Sequence, residues 1–213
     1  MWTVQSQQLN VSVEMLFPKA VPFRMAQIEL FAENALERFR EYGLAPLQIF
    51  QRDGNGLFDY DISFWLFNGN GLFRLTAEKL FVQIQNARSP NDLSIIKACL
   101  LKAVECLPKT EVRDNLVAVT NQSTFASKEE RDKFLGQFAD TKRGITYGGV
   151  VYYERIEAAL NEFRFQIDRS AVYPEGIFLS WNGVVKAKLT EQTLDSLSNN
   201  LRSICARFEL GSP

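Results

Sequence analysis

One order of predicted elements occurs twice along this sequence. Residues from about 9 to 108 and from about 112 to 211 each follow the order strand, helix, three to four strands, long helix. A repeat constrains the fold strongly, because each copy is one structural unit that must pack against the other. The linker 108–111 is too short for independent movement, so residues 1–213 are predicted to form a single globular unit.

The elements of the first repeat follow from hydrophobic periodicity and turn residues. Alternation predicts strands at 9–15 and 47–51, and Asp-Gly and Asn-Gly pairs predict hairpin turns at 53–56 and 68–71. Residues at helical spacing predict one helix face: Ile28, Phe31, Ala35 and Phe39. Alternate residues predict one buried strand face: Phe58, Tyr60, Ile62, Phe64 and Leu66. Ser89 and Pro90 predict the start of the long helix that ends the repeat.

The second repeat is predicted to contain a strand at 116–121, a helix capped by Ser127 and extending through Phe138, and a strand at 145–153. Phe163, Phe165 and Ile167 alternate with polar residues, which predicts a strand with one buried face. Gly176 is expected to open the next strand, and Asn182-Gly183 to turn the chain into a last strand at 185–189. Thr190 is expected to cap the final helix. Residues 154–160 have helical propensity, and a hairpin is predicted there only by analogy with the first repeat.

This doubled order resembles the TATA-binding-protein-like architecture. The resemblance covers most of the chain and rests on element order, with no shared motif, so it transfers no binding residues. It implies an α+β fold in which a curved antiparallel sheet has its helices on one face. A helix-grip fold, or another α+β duplication, would give a similar string of elements.

Composition excludes several classes of function. The 213 residues contain no His, which excludes Ser-His-Asp and Cys-His catalysis and His-ligated zinc. The net charge is −1 and both halves are nearly neutral, so no basic face for duplex nucleic acid is predicted. Three Cys, at 99, 106 and 205, lie among apolar residues and are interpreted as buried reduced thiols. With a polar N-terminus and no membrane-length apolar run, they predict a cytoplasmic protein.

Three acidic residues beside the first hairpin turn are candidates for a cation site or a catalytic carboxylate pair. Asp53, Asp59 and Asp61 do not have the spacing of a calcium-binding EF-hand. Asp59 and Asp61 lie about 6.5–7 Å apart along one strand face, near the separation in inverting glycosidases. We interpret them instead as acids that keep a hairpin soluble. The sequence therefore predicts no catalytic residue, no metal site and no cofactor.

The face of the sheet opposite the helices is the predicted binding surface. By alternation it carries Asp59, Asp61, Ser63, Trp65, Arg74, Thr76, Phe81, Gln83, Arg164, Gln166, Asp168, Ser180, Lys186 and Lys188. Exposed aromatic side chains are the usual anchors of protein interfaces. A solvated face, or Trp65 and Phe81 packed on each other, is the alternative interpretation. The candidate binding residues are Trp65, Arg74, Phe81, Arg164, Lys186 and Lys188.

Three functions are compatible with this pattern. The first is a non-enzymatic binding or scaffolding protein whose open sheet face, or strand edges, engages another protein or a second copy of itself. The second is a carrier that holds a small apolar ligand between sheet and helices, which requires a cavity above about 300 Å³. The third is nucleic-acid binding through a local basic stripe of Arg74, Arg164, Lys186 and Lys188. Partners in a membrane are not expected.

Overall fold

In the computed structural model the described part of the chain is α+β, with four α-helices and one sheet. The structure describes residues 2–53, 56, 58–87, 90–140, 142, 148–156, 161–186 and 188–210. The elements of the first half are β1 (Gln5–Leu16), α1 (Met25–Phe39), β2 (Ile49–Asp53), β3 (Tyr60–Leu66), β4 (Gly71–Thr76), β5 (Lys79–Ala87) and α2 (Pro90–Cys106). Those of the second half are β6 (Asp114–Thr124), α3 (Lys128–Gly136), β7 (Val150–Ile156), β8 (Asn161–Arg169), β9 (Gly176–Val185) and α4 (Glu191–Arg207).

The nine strands found in the described ranges form one antiparallel sheet in the order β2-β3-β4-β5-β1-β6-β9-β8-β7. The first strand of each half lies at the centre, where β1 pairs with β6 from Gln5 opposite Thr124 to Leu16 opposite Asp114. The other strands follow outward in reverse chain order, so β2 and β7 are the edges. Both halves therefore contribute to one continuous sheet.

Side chains on one sheet face form the core with the helices. The predicted face of α1 is confirmed, since Ile28, Phe31, Ala35 and Phe39 are its buried residues. The Phe39 ring lies 5.3 Å from that of Phe64 in β3 and 4.8 Å from that of Phe73 in β4. At the other end of the sheet, Phe208 after α4 stacks on Phe165 of β8 at 5.5 Å. Because alternate residues point to the same face, these contacts fix which strand residues face the helices.

The buried face of β3 is confirmed for Tyr60, Ile62, Phe64 and Leu66. Phe58 is an error in this prediction, because its side chain is 51% exposed. Asp59 N–H donates to the Gly56 carbonyl at 3.0 Å, so the chain is still turning at Phe58 and the alternation begins at Tyr60. Gly54 and Asn55 of the predicted turn lie outside the described residues.

The predicted turn at Asn182-Gly183 is wrong. β9 passes through these residues without reversing, and it pairs with β6 on one side and with β8 on the other. Asn182 lies opposite Ala118 and Arg164, so the backbone at this position is held in the extended form from both sides. The expected last strand at 185–189 is therefore absent among the described residues, which exclude Ala187.

The remaining predictions for the second half hold in part. The hairpin at 154–160 is confirmed where it is described, since β7 and β8 pair from Val150 opposite Ile167 to Ile156 opposite Asn161. Helix α3 starts at the predicted cap, where Ser127 Oγ accepts from Glu130 N–H, but it ends at Gly136 rather than Phe138. Thr190 caps α4 by accepting from Thr193 N–H at 3.2 Å. Among the described residues, no helix is both long and apolar enough to cross a bilayer.

Candidate functional site

The sheet face turned away from the core, here called the open face, carries exposed or partly exposed side chains over most of its width. Across neighbouring strands, Trp65 of β3 lies opposite Leu72 of β4, and Arg74 of β4 lies opposite Phe81 of β5. Phe81 in turn lies opposite Glu14 of β1. Trp65 is 42% exposed, whereas Phe81 is partly buried. The first-half end of the open face thus combines aromatic and charged groups.

A depression of about 490 Å³ lies at this end of the open face and is here called the face depression. It is lined by charged groups around an aromatic ring: Glu14, Arg52, Asp59, Asp61, Arg74, Glu78, Lys79 and Phe81, with Phe58, Tyr60 and smaller residues. Arg74 and Asp61 form one pair of opposite charges on neighbouring strands, and Lys79 and Glu14 form another. The face depression therefore offers both signs of charge next to apolar surface.

Ion pairs neutralise the main cations of the face depression. Arg74 Nε lies 3.0 and 2.9 Å from the two carboxylate oxygens of Asp61, and Arg74 Nη2 lies 2.6 Å from Asp61 Oδ2. This contact raises the pKa of Arg74 above its usual value. Lys79 Nζ lies 2.6 Å from Glu14 Oε2 and 5.9 Å from the centroid of the Phe81 ring. Paired charges of this kind suit a protein partner better than a polyanion.

The six predicted binding residues form one cluster and three separate positions. Trp65, Arg74 and Phe81 lie on the adjacent strands β3, β4 and β5. Arg164 lies on β8, five strand spacings from Arg74 and so about 24 Å across the sheet. There it donates to Gln166 Oε1 at 2.8 Å. A basic stripe that includes both guanidinium groups is therefore not formed.

The two predicted lysines lie beyond the end of β9. Lys186 and Lys188 are both exposed. Lys188 lines a different depression, of about 390 Å³, beside the linker that joins the two halves. Its carbonyl accepts from Thr193 Oγ1 at 2.9 Å, which ties this segment to the first turn of α4. Neither lysine belongs to the face depression.

The structure places Asp61 and Asp59 in different surroundings. Asp61 is held by Arg74, and its neighbour Asp59 precedes β3 and is exposed. Among the described residues, no group of three or more Cys, Asp or Glu is placed to hold a metal ion. The three thiols are buried, and burial raises the pKa of Cys99 and of Cys106 to about 12 and that of Cys205 to about 11. A thiol with so high a pKa is a poor nucleophile at neutral pH.

A second concave region lies on the helix side of the sheet, between α2 and α4. This interhelical groove has a volume of about 450 Å³. Its apolar lining comes from both central strands, from β9 and from both helices: Leu9, Val11, Val117, Val119, Trp181, Leu93, Ile96, Leu100, Leu194, Leu197 and Leu201. At its rim, Lys97 of α2 contacts Asp195 of α4 at 2.7 Å and Glu191 at 3.0 Å. The groove is thus an apolar cleft with a charged edge.

Two buried nitrogen donors beside the interhelical groove lack hydrogen-bond partners among the described residues. They are Nε1 of Trp181 and Nδ2 of Asn121. Trp181 is 2% exposed and stacks on Phe163 at 4.3 Å, and Asn121 is 3% exposed. Both line a void of about 10 Å³ that shares Val119, Trp181 and Leu201 with the groove. These two donors were not identified from the sequence. The signal available there was an Asn within the apolar alternation of 116–121.

Comparison with known proteins gives no relative from which to transfer a function. No protein-family model matches the sequence, and no curated protein is similar to it at a significant level. The open face and the interhelical groove are therefore the features from which a function can be inferred.

Proposed function

We propose that this chain is a non-enzymatic binding protein that engages another protein through the first-half end of its open face. The observation that carries the proposal is the face depression, where Phe81 lies between the Arg74–Asp61 and Lys79–Glu14 ion pairs. An apolar anchor ringed by polar groups is the usual composition of a protein interface. The partner expected here has an apolar side chain flanked by groups of both charges.

Site-specific photocrosslinking in the protein's native cells tests this proposal. A benzoylphenylalanine at position 65 or 81 is expected to give one adduct of defined mass, and Arg74→Glu is expected to remove it. The matched control position is Leu30, a 47% exposed residue on α1, which lies on the other side of the sheet. An adduct with the same chain indicates self-association through this face. Equal labelling at positions 30, 65 and 81, or no adduct at 65 and 81, contradicts the proposal.

The second candidate function is a carrier of a small apolar molecule in the interhelical groove. The specific observation in its favour is the groove's volume of about 450 Å³, within the range of ligand sites. Native mass spectrometry of protein purified under gentle conditions is expected to detect a bound mass. If the purified protein is a bare monomer, and the same ionisation conditions preserve a complex with lipid that is added afterwards, the result would count against this function.

Nucleic-acid binding is the third candidate. It draws on Arg164, Lys186 and Lys188 without Arg74, which is paired with Asp61. A mobility shift of labelled RNA or DNA that weakens with salt would support it. Absence of any shift at low salt would reject it.

We further propose that the two halves are copies of one unit in the TATA-binding-protein-like order. The arrangement of β1 and β6 at the centre, with the later strands of each half placed outward, supports this proposal. Among the described residues the halves differ in strand number, with β1–β5 in the first and β6–β9 in the second. Similarity between the halves in an alignment of related sequences would test it.

A further inference from the structure

We propose that the interhelical groove binds an acyl amphiphile, with its aliphatic chain between α2 and α4 and an acyl oxygen accepting a hydrogen bond from Trp181 Nε1–H. The inference rests on the carrier function, the second candidate, and is independent of the open face. It adds the chemical class of the ligand and the residue that recognises its oxygen.

The walls of the interhelical groove select for a flexible aliphatic chain. Leu93, Ile96 and Leu100 project from α2 at helical spacing. Leu194, Leu197 and Leu201 do so from α4. The floor is formed by the branched side chains of β1 and β6, and Trp181 is the one aromatic residue in the lining. The branched aliphatic side chains of the floor and of both helices form an uneven surface, which an alkyl chain can follow by rotation about its bonds more readily than a rigid ring system can. The lining also includes polar residues: Ser94, Lys97, Asp195, Ser198, Asn199 and Arg202.

Two buried hydrogen-bond donors without a partner among the described residues, Trp181 Nε1–H and Asn121 Nδ2–H, belong to residues that line the void of about 10 Å³ next to the groove. Buried polar groups in folded proteins nearly always have a partner, so a buried indole N–H without one indicates a missing acceptor. Asn121 adds a second donor beside the same void, while its Oδ1 already accepts from Ser6 Oγ at 2.8 Å. The two groups are donor-only at this point. They therefore fit a carbonyl or carboxylate oxygen and would leave an ammonium or a second donor unsatisfied.

The rim of the groove offers one competing anchor. Lys97 is already engaged by Asp195 and Glu191, whereas Arg202 of α4 has no ion-pair partner among the described residues. A carboxylate held by Arg202 would place the oxygen at the rim and leave Trp181 against the alkyl chain. The two placements predict opposite effects of substitutions at positions 181 and 202.

Calorimetric titration with dodecanoate, below its micelle concentration, separates these cases. Trp181→Phe removes the N–H and keeps a ring that can stack on Phe163, and it is expected to weaken binding about five- to tenfold. Arg202→Gln is expected to change the affinity less than twofold. Ser198→Phe, at a partly exposed position in the groove lining, is expected to abolish binding by filling the cleft.

The indole N–H resonances of the wild-type protein give a second measurement that does not depend on how Trp181→Phe folds. The chain has three Trp, so three such resonances are expected, and Trp2→Phe and Trp65→Phe identify two of them and leave that of Trp181. Dodecanoate is expected to move the Trp181 resonance downfield, as a new acceptor does. Binding that Ser198→Phe blocks, with an unmoved Trp181 resonance or with loss of affinity only in Arg202→Gln, overturns the hydrogen bond and keeps the carrier function. No binding to any form overturns both.

Discussion

The assignment of the two sheet faces can be tested with two neighbouring residues of β3. Phe64 is 1% exposed, and its ring stacks on that of Phe73 at 4.8 Å with an interplanar angle of 5°. Phe64→Ala removes this contact and the contact with Phe39, and large-to-small changes of buried aromatic residues cost about 3–5 kcal/mol. Trp65 is the larger side chain, but it is 42% exposed and its cross-strand partner is Leu72. A cross-strand pair contributes about 0.2–1 kcal/mol, so Trp65→Ala is expected to cost about 1 kcal/mol.

Urea unfolding followed by circular dichroism measures both free energies of unfolding. We expect Phe64→Ala to lower the free energy of unfolding by at least about 2 kcal/mol more than Trp65→Ala does, although Phe is the smaller side chain. The slope against urea serves as the control, because a changed slope indicates a changed unfolded or native state rather than a lost contact. A loss for Trp65→Ala equal to that for Phe64→Ala would refute the reasoning. Equal losses would mean that both faces of β3 are buried, whereas a one-residue change of register would exchange the two faces and make the loss for Trp65→Ala the larger one.

Two further predictions concern the buried thiols and two glycines. Cys99, Cys106 and Cys205 are expected not to react with a thiol reagent at pH 8 until the protein unfolds. Burial raises the pKa of Cys205 to about 11 in the folded state. Above the ordinary thiol pKa near 8.5 the unfolded chain therefore holds this proton less often than the folded protein does, and unfolding releases it. The contribution of Cys205 to stability is thus constant below that pH and falls as the pH rises toward 11. Cys205→Ala should lessen this fall between pH 8 and 10, and an unchanged slope would contradict it. Gly176→Ala is expected to destabilise the protein by about 1–3 kcal/mol, because a Cβ there would lie 2.7 Å from Tyr173 Cβ and 3.1 Å from the Ser123 carbonyl oxygen. Gly136→Ala, in α3 with nothing within 4 Å of the added Cβ, is expected to stabilise the protein by about 0.5 kcal/mol. Urea unfolding measures both variants, and a change of the same sign in their free energies of unfolding would contradict this comparison.

Periodicity predicted the elements that have one buried side. The helix face that includes Phe31 and Phe39, and the strand face that includes Ile62 and Phe64, were both identified correctly. Burial of one side forces a repeat of 3.6 or 2 onto the sequence, and that repeat can be recognised without a partner. Periodicity did not predict the extended conformation at Glu154. The local sequence has helical propensity, but pairing of β7 with β8 overrides it. Pairing is a tertiary interaction and leaves little trace in a single segment.

The error at Asn182-Gly183 has a related physical cause. This dipeptide favours a turn in an isolated hairpin, but in β9 both backbone edges are occupied by neighbouring strands. Asn182 Nδ2 donates to Ser180 Oγ at 3.0 Å, so its side chain is also satisfied within the strand. Local turn preference is worth less than the ladder hydrogen bonds that a reversal would break.

The candidate sites were accessible to sequence reasoning only in part. Alternation placed Trp65, Arg74 and Phe81 on one face, but their separation from Arg164 depends on strand order, which the sequence does not specify. The ion pair of Arg74 with Asp61 joins residues 13 apart on adjacent strands, and it follows from register. The interhelical groove arises from the spacing of α2 and α4, which is a tertiary property that a single sequence does not specify.

The central position of β1 has a consequence for synthesis of the protein on the ribosome. β1 pairs with β6 along residues 5–16 and 114–124, so the two middle strands are separated by about half of the chain. Until β6 leaves the exit tunnel, a nascent first half that has already formed β1–β5 exposes the whole hydrogen-bonding edge of β1. An unpaired strand edge invites pairing with other chains. The period from formation of β1–β5 until β6 leaves the exit tunnel is therefore the one in which this protein depends most on chaperones to keep other chains from the edge of β1.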